Sequence, residues 1–504
     1  MRRAGWVVVV AVVACAVALP AGVPAAGAAV TALQVTTPGP DFNADGFADL
    51  AVGAPGEDIG ATAEAGAVSV LYGSAGGFGG GQVLSQGAGG VPGVSEGFDR
   101  FGTALATGNF NGDSFADLAV GAPGEDLGTD ADAGAAFILF GSAAGITGAG
   151  GRLLTQANPE PGDGFGSSLA VVDGVDLAVG VPGEDVGSAN GAGAVSLLAD
   201  PGSSPVAELL HQGVAGVAGS AEAGDGFGSS LAAGDFNDSE GIDSLAVGTP
   251  GEDVGAVADA GAVIVRYAPG FGGVGLTVIT QGRPETGDRF GTALGAADFG
   301  LTTHQDLAVG APGETVGIRV AAGAVTVLYG DDSGFIAAGS QLFHQGAGVP
   351  GTAETGDGLG TALAAGQYGA DVADLAIGVP GEDIGAVADA GILDVLYGTA
   401  AGGLGGGGSE QLTQQDAAGA VEANDRFGEA LSEPFFFESD VLEDVAVGAP
   451  GETVGGRGDA GAGSALFGAE VGGLGDGGSQ FFFQGAGGLG GAAEAGDLAG
   501  AALN

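Results

Sequence analysis

Residues 41–58 read DFNADGFADLAVGAPGED. Asp41, Asn43, Asp45 and Asp49 bring side-chain oxygens to positions 1, 3, 5 and 9 of this run, with Gly46 after the third. Carboxylates this close repel one another unless a cation or solvent screens them. The apolar Leu50-Ala51-Val52 follows, then Gly-Ala-Pro-Gly-Glu-Asp. Small and β-branched residues fenced by Gly and Pro read as a short buried strand ending in a turn.

That strand returns. It starts again at Leu118, Leu177, Leu245, Leu307, Leu375 and Val445, in steps of 59 to 70 residues. Seven copies at such a period indicate one repeated unit rather than separate domains. Each unit carries four strand-like runs. In the second unit they are Phe101–Ala106, Leu118–Gly121, Ala135–Phe140 and Arg152–Gln156. Helix signals are nearly absent, because Gly interrupts the Ala-rich stretches and costs about 1 kcal/mol per helix position.

Four strands in each of seven units predict an all-β fold, a seven-bladed β-propeller with four-stranded blades. A parallel β-helix is the competing architecture, but its coils are shorter. The ends favour the ring. The first unit lacks its first strand, and Gly496–Leu503 matches Gly224–Leu231, the first strand of another unit. The C-terminal strand is therefore expected to join the N-terminal blade and close the circle, which removes a sticky sheet edge.

Phe101-Gly102 followed by Gly121-Ala122-Pro123, with an acidic loop between, resembles the FG-GAP repeat. That repeat builds the seven-bladed propeller of integrin α subunits and of similar secreted bacterial proteins. The resemblance covers nearly the whole chain after its leader. Some copies depart from it: Leu359 replaces Phe, and Thr249 or Val181 replaces Ala.

Composition limits the partners. There are 62 acidic against 10 basic residues, a formal charge of −52. Nucleic acid needs a basic surface and is not expected as a partner. Cationic partners and metal ions fit better. Hydrophobic residues make up 45% of the chain, enough for a packed core rather than a disordered acidic segment.

The N-terminus reads as an export signal. Met1-Arg2-Arg3 is the positive region, Ala4–Leu19 the apolar region and Ala26-Gly27-Ala28 the cleavage site. The expected organisation is a signal peptide over 1–28, a linker over 29–40 and the propeller over 41–504. Val12-Val13-Ala14-Cys15 loosely resembles a lipobox, so lipoprotein anchoring through Cys15 is the lesser alternative to secretion. No second apolar span of membrane length follows.

The acidic loop before strand two is a cradle for a hard cation. Ca²⁺ takes six to eight oxygens. Unit one offers Asp41, Asn43, Asp45, the Phe47 carbonyl and Asp49. Unit two offers Asn109, Asn111, Asp113, the Phe115 carbonyl and Asp117. Unit four offers Asp235, Asn237, Ser239, the Gly241 carbonyl and Asp243, with its strand one residue late. Unit three has lost the loop, and the last three units keep fragments such as Asp298 with Asp306. The resemblance implies the same ion, since integrin α blades bind Ca²⁺ in this loop. The bland alternative is an Asx-turn, in which Asp and Asn bond their own backbone.

Antiparallel alternation puts loops two-to-three and four-to-one on the opposite face. There Pro-Gly-Glu repeats in all units, at Glu57, Glu125, Glu184, Glu252, Glu314, Glu382 and Glu452, and five continue with Asp. The four-to-one loop repeats Glu-x-x-Asp, as in Glu222 with Asp225. Turn capping explains most of these acids. The sharper reading is a ring that collects a basic partner, and the resemblance implies that this face recognises ligands. Arg457-Gly458-Asp459 spells the tripeptide some integrins recognise, although Asp459 occupies a repeated acidic place.

The catalytic inventory is thin. His211 and His344 stand before a repeated Gln-Gly and read as strand residues; no Gly-x-Ser-x-Gly elbow occurs. The expected function is therefore a secreted, Ca²⁺-binding, non-catalytic module for binding or cell adhesion. Its ligand would be an extracellular protein or polysaccharide, and a monomer is the expected state. The alternatives are a secreted hydrolase or lyase using a carboxylate pair, and a purely structural surface or matrix protein.

Overall fold

The computed structural model describes residues 39–504, apart from 204, 215–216, 218, 238–243, 268–274, 333, 370–371, 437–441 and 470–472. The expected signal peptide and most of the expected linker lie outside the described residues. Every regular element is a β-strand. The strands form seven sheets of antiparallel neighbours, and in six of them the strands follow chain order. The second blade is typical, with Leu105–Gly108, Asp117–Ala122, Ala135–Phe140 and Thr147–Leu154. The fifth blade adds a two-residue strand, Gly348–Val349, parallel to its fourth.

The chain is a seven-bladed β-propeller. The first blade contains Leu50–Ala54, Ala67–Tyr72 and Gly79–Leu84, and its innermost strand is Ala502–Leu503. Val52 pairs with Leu503 and Gly53 with Ala502. Asn504 and Ala51 exchange backbone hydrogen bonds at 2.6 and 3.0 Å.

Strand boundaries differ from the sequence reading in one instructive way. Phe101–Ala104 is a turn, and the first strand of that blade begins at Leu105. The fourth strand begins earlier and ends earlier than expected, at Thr147 and Leu154. Apolar character marked Phe101 as a strand residue, but its burial comes from wedging between blades. Phe101 is fully buried among Val68, Val70 and Leu84 of the first blade and Leu105 and Phe137 of the second. Its ring meets Phe137 edge-on, with centroids 5.1 Å apart. Phe165, Phe227, Phe290, Leu359, Phe427 and Ala499 take the same place at the other interfaces, each within about 1% of full burial.

Glycine permits this wedge. The backbone of Phe165 bridges to Gly134 of the preceding blade, and the same pairing joins Phe227 to Gly193 and Phe290 to Gly261. A Cβ on Gly121 would lie 2.0 Å from the Gly166 carbonyl oxygen of the next blade. The second and third strands are buried along nearly their whole length, because a neighbouring blade covers each face. Outer strands face solvent along much of their length, as in Gly79–Leu84. At the rim, tyrosine hydroxyls tie blade to blade: Tyr72 accepts from the Ile146 N–H at 2.9 Å, and Tyr397 from Leu474 at 2.9 Å.

Two outcomes follow. Gly121→Ala forces two backbones apart and lowers stability by more than the about 1–3 kcal/mol typical of overpacking, read as a drop in the denaturation midpoint. Leu503→Ala, at the pairing that closes the circle, costs about 2–4 kcal/mol by chemical denaturation. Loss of that pairing also exposes a strand edge, detectable as self-association by light scattering.

Candidate functional site

The nine-residue acidic loop precedes strand two in the first two blades, and each of its Asp and Asn side chains accepts from a backbone N–H. In the first blade Asp41 accepts from the N–H groups of Asp45 and Gly46 at 3.1 and 2.9 Å. Asn43 Oδ1 accepts from Asp45 at 2.8 Å, and Asp45 Oδ1 from Phe47 at 3.0 Å. In the second blade Asn109 accepts from Gly112, Asn111 from Asp113, and Asp113 from Phe115, all at 2.8 Å. These are Asx-turns in series. Asp235 and Asn237 precede the fourth blade's second strand, while Ser239, Gly241 and Asp243 lie outside the described residues. Among the described residues, no group of three or more acidic, His or Cys side chains stands ready to hold a metal ion.

The ninth position behaves differently. Asp49 is fully buried, and its two oxygens accept from the Phe42 N–H at 2.8 Å and the Gly73 N–H at 2.9 Å. Asp117 repeats this with Phe110 and Gly141, and Asp306 with Phe299 and Gly330. Asp374 does so with Gly369 and Gly398. This aspartate clips the loop to the end of strand three, even in blades whose loop is degenerate. Burial pushes the Asp49 carboxyl up to about 7; the bonds from Gly73 and Phe42 oppose the shift, and the charges of Asp41 and Asp45 add to it. Burial likewise pushes Asp117 up to about 6.

The opposite face holds a repeated constellation that the sequence reading passed over. Each Pro-Gly-Glu glutamate accepts from the Nε2 of a glutamine at the end of the preceding blade's fourth strand. The pairs are Gln86–Glu125, Gln156–Glu184, Gln212–Glu252, Gln281–Glu314, Gln345–Glu382, Gln414–Glu452 and, across the closure, Gln484–Glu57. The distances other than Gln86–Glu125 run from 2.5 to 3.0 Å. Beside them sit the aspartates of Glu-x-x-Asp: Asp99, Asp163, Asp225, Asp288, Asp357, Asp425 and Asp497, all 0–1% exposed. Each accepts from the N–H of the glutamate three residues earlier at 2.5–2.7 Å. Burial raises their carboxyls, Asp99 and Asp225 to about 7. The signal was present: a Gln recurred once per unit, in register with the repeated Glu.

The five Asp residues after Pro-Gly-Glu close the two-to-three loop. Asp58, Asp126, Asp185, Asp253 and Asp383 each accept from a backbone N–H six residues on, at 2.9–3.0 Å. Arg457 and Val454 exchange backbone bonds at 3.1 Å, a turn repeated in the other units, and Arg457, Gly458 and Asp459 are exposed at its tip. His211 and His344 direct Nδ1 to the carbonyl of the next residue at 3.0 and 2.9 Å, and His304 meets Asp332 at 3.1 Å.

One copy departs from the repeat. Before the buried aspartate, the units carry Gly162, Gly224, Gly287, Gly356, Asn424 and Gly496, all with positive φ. The second unit has Phe98 there, at φ 70° and 51% exposed. An L-residue in the left-handed region is strained by about 1–2 kcal/mol. Phe98 and Arg100 line a depression of about 640 Å³ with Asp126 and Asp132.

Comparison with known proteins agrees with the architecture. Residues 34–71 and 101–139 match the model of the FG-GAP repeat. The chain carries FG-GAP repeats in a seven-bladed β-propeller, consistent with an integrin α-like propeller. It is also similar to phosphatidylinositol-glycan-specific phospholipase D. Identity is 40% with the rat protein and 38% with the mouse protein, each over 109 residues. The bovine protein is 39% identical over a stretch of the same length. These segments cover 21% of this chain and 12–13% of the relatives, so the match spans about an eighth of their length. Among the described residues no helix is long and apolar enough to cross a membrane.

Asp49→Ala orphans two buried N–H groups and is expected to cost about 2–4 kcal/mol. Asp45→Ala, at an exposed Asx-turn, costs under about 1 kcal/mol in the absence of metal. Urea midpoints for the two variants check the contrast.

Proposed function

We propose that this protein is a secreted β-propeller that takes up Ca²⁺ in its first two acidic loops and binds an extracellular ligand without catalysis. The observation that carries the binding reading is Phe98. A strained, exposed aromatic in a depression, where other units carry Gly or Asn, is a departure that packing does not require. An extracellular polysaccharide or protein with cationic groups suits the charge balance.

The donor set of the first two loops fits Ca²⁺ chemically, being all hard oxygen. Asp49 feels the charges of Asp41 and Asp45, and each oxygen that accepts one N–H keeps a second lone pair. Asp41, Asn43, Asp45, the Phe47 carbonyl and Asp49 would hold the ion in the first blade. Asn109, Asn111, Asp113, the Phe115 carbonyl and Asp117 would hold it in the second. The ion would cancel local repulsion and stiffen the loop. The fourth-blade set of Asp235, Asn237, Ser239, Gly241 and Asp243 is a weaker third site.

The pH dependence has a definite sign. A carboxyl raised on folding contributes stability that is full below its ordinary range and lost as pH rises through the folded value. For Asp49 that loss runs up to about pH 7. Ca²⁺ favours the ionised form, so it should raise the melting temperature more near neutrality than in acid. The titration range is about 10⁻⁴–10⁻³ M. Asp45→Ala with Asp113→Ala should abolish the gain. An unchanged melting temperature across millimolar Ca²⁺ in the parent chain rules the metal reading out.

Phe98→Gly should relieve about 1 kcal/mol of strain and raise the melting temperature. It should also weaken retention on extracellular polymer and cell-wall fractions. Retention equal to that of the parent would remove Phe98 from the ligand site. The catalytic alternative draws on the relatives named as a phospholipase D, through a segment covering 12–13% of their length. Turnover of a phosphatidylinositol-glycan substrate by the purified chain would overturn the non-catalytic reading.

A further inference from the structure

Each of the seven Gln–Glu contacts leaves one acceptor unanswered. The glutamine Nε2 donates to the glutamate, yet the Oε1 of the same amide is buried and has no donor at Gln86, Gln156, Gln212, Gln281, Gln345, Gln414 and Gln484. Gln86, Gln212 and Gln414 are themselves 97–99% buried. An isolated case is ordinary, but the same orphan at every blade interface is a property of the design. Turning the amide over does not help, because it would set two oxygens against each other.

A carboxylate has no hydrogen to offer, whereas a carboxylic acid has one. A protonated glutamate facing a primary amide makes two parallel bonds, amide N–H to acid carbonyl and acid O–H to amide Oε1. The charges around Glu125 are Glu96, Asp126 and Asp99, all acidic, and Arg100 in the same loop is paired with Glu64 at 3.3 Å. At two interfaces the neighbouring aspartate adds to the effect of burial, the charge of Asp497 raising Glu57 and that of Asp288 raising Glu314.

We propose that the blade interfaces of this face are fastened by amide–carboxylic acid pairs, each holding a proton in the folded ring, so that the propeller closes more firmly in mild acid. Burial raises Glu125, Glu252 and Glu382 in the same sense, and Glu57, Glu314 and Glu452 to about 7. The contribution is full below the ordinary glutamate range and lost as pH rises through about 7. A cation is the rival occupant, but Ca²⁺ would need six to eight oxygens, and each latch presents only a few.

The test uses the full chain in chelator and a triple variant, E125Q/E252Q/E452Q. A glutamine at these positions keeps an N–H aimed at the orphan Oε1 at any pH. The parent melting temperature should fall between about pH 5 and about pH 8. The variant should match the parent in acid, exceed it at the higher pH and show a shallower fall. An unaltered pH slope, or equal loss at both pH values, overturns the proposal. Calcium that stabilises the parent but not the triple variant also overturns it, in favour of a bound cation. Should the variant fail to fold, infrared spectra of the parent decide. A protonated-carboxyl band that persists well above the ordinary carboxylic acid range and bleaches with rising pH supports the latch; carboxylate absorption alone at about pH 6 sinks it.

Discussion

The structure depends on how closely two backbones can approach. In each blade the Gly of the Gly-Ala-Pro turn region lies against the Gly of Phe-Gly, or its equivalent, in the next blade. An added Cβ would meet that carbonyl oxygen at 1.9–2.2 Å for Gly53, Gly121, Gly180, Gly248, Gly310, Gly378 and Gly448. Blades converge toward the axis, so side chains there must be small, and Leu-Ala-Val-Gly is what fits. Once the backbones touch, the aromatic before the glycine is driven into the gap between sheets. The two halves of the repeat thus record one contact between successive blades.

Charge is the second constraint, and it is met with few basic side chains. Among the described residues three arginines form ion pairs with carboxylates, at Glu64, Glu208 and Glu429. Buried acids instead accept backbone N–H groups: Asp49 and its equivalents on one face, Asp99 and its equivalents on the other. Backbone dipoles do not fully offset burial, and carboxyl after carboxyl is shifted upward. An acidic protein of this kind stores electrostatic tension that protons or cations can release.

The fold was legible because repetition amplified weak signals. Any one Leu-Ala-Val-Gly is ambiguous, but seven in register define blades, and the match of Gly496–Leu503 to Gly224–Leu231 located the closing strand. Phe101 misled the strand boundary because hydrophobicity reports burial and not the element that supplies it. The acidic loops were legible as oxygen-rich turns. The separate task of their ninth residue was not, since a clip to Gly73 or Gly141 joins positions 24 residues apart. The glutamine partners were missed for a similar reason. Gln is unremarkable in a strand, and its meaning appears only when the neighbouring blade brings a glutamate to it.

The junction of Val52–Gly53 with Ala502–Leu503 bears on how the molecule comes into being. The segment that completes the initial sheet is synthesised roughly 450 residues after that sheet begins. Six other sheets can assemble from neighbours in the chain, but this one must wait. The entropic toll of joining such distant pieces grows only logarithmically with separation, by about 0.6 kcal/mol per doubling. The delay is therefore one of timing more than of energy. Until Ala502–Leu503 is made, the nascent chain is an open arc with an unsatisfied strand edge.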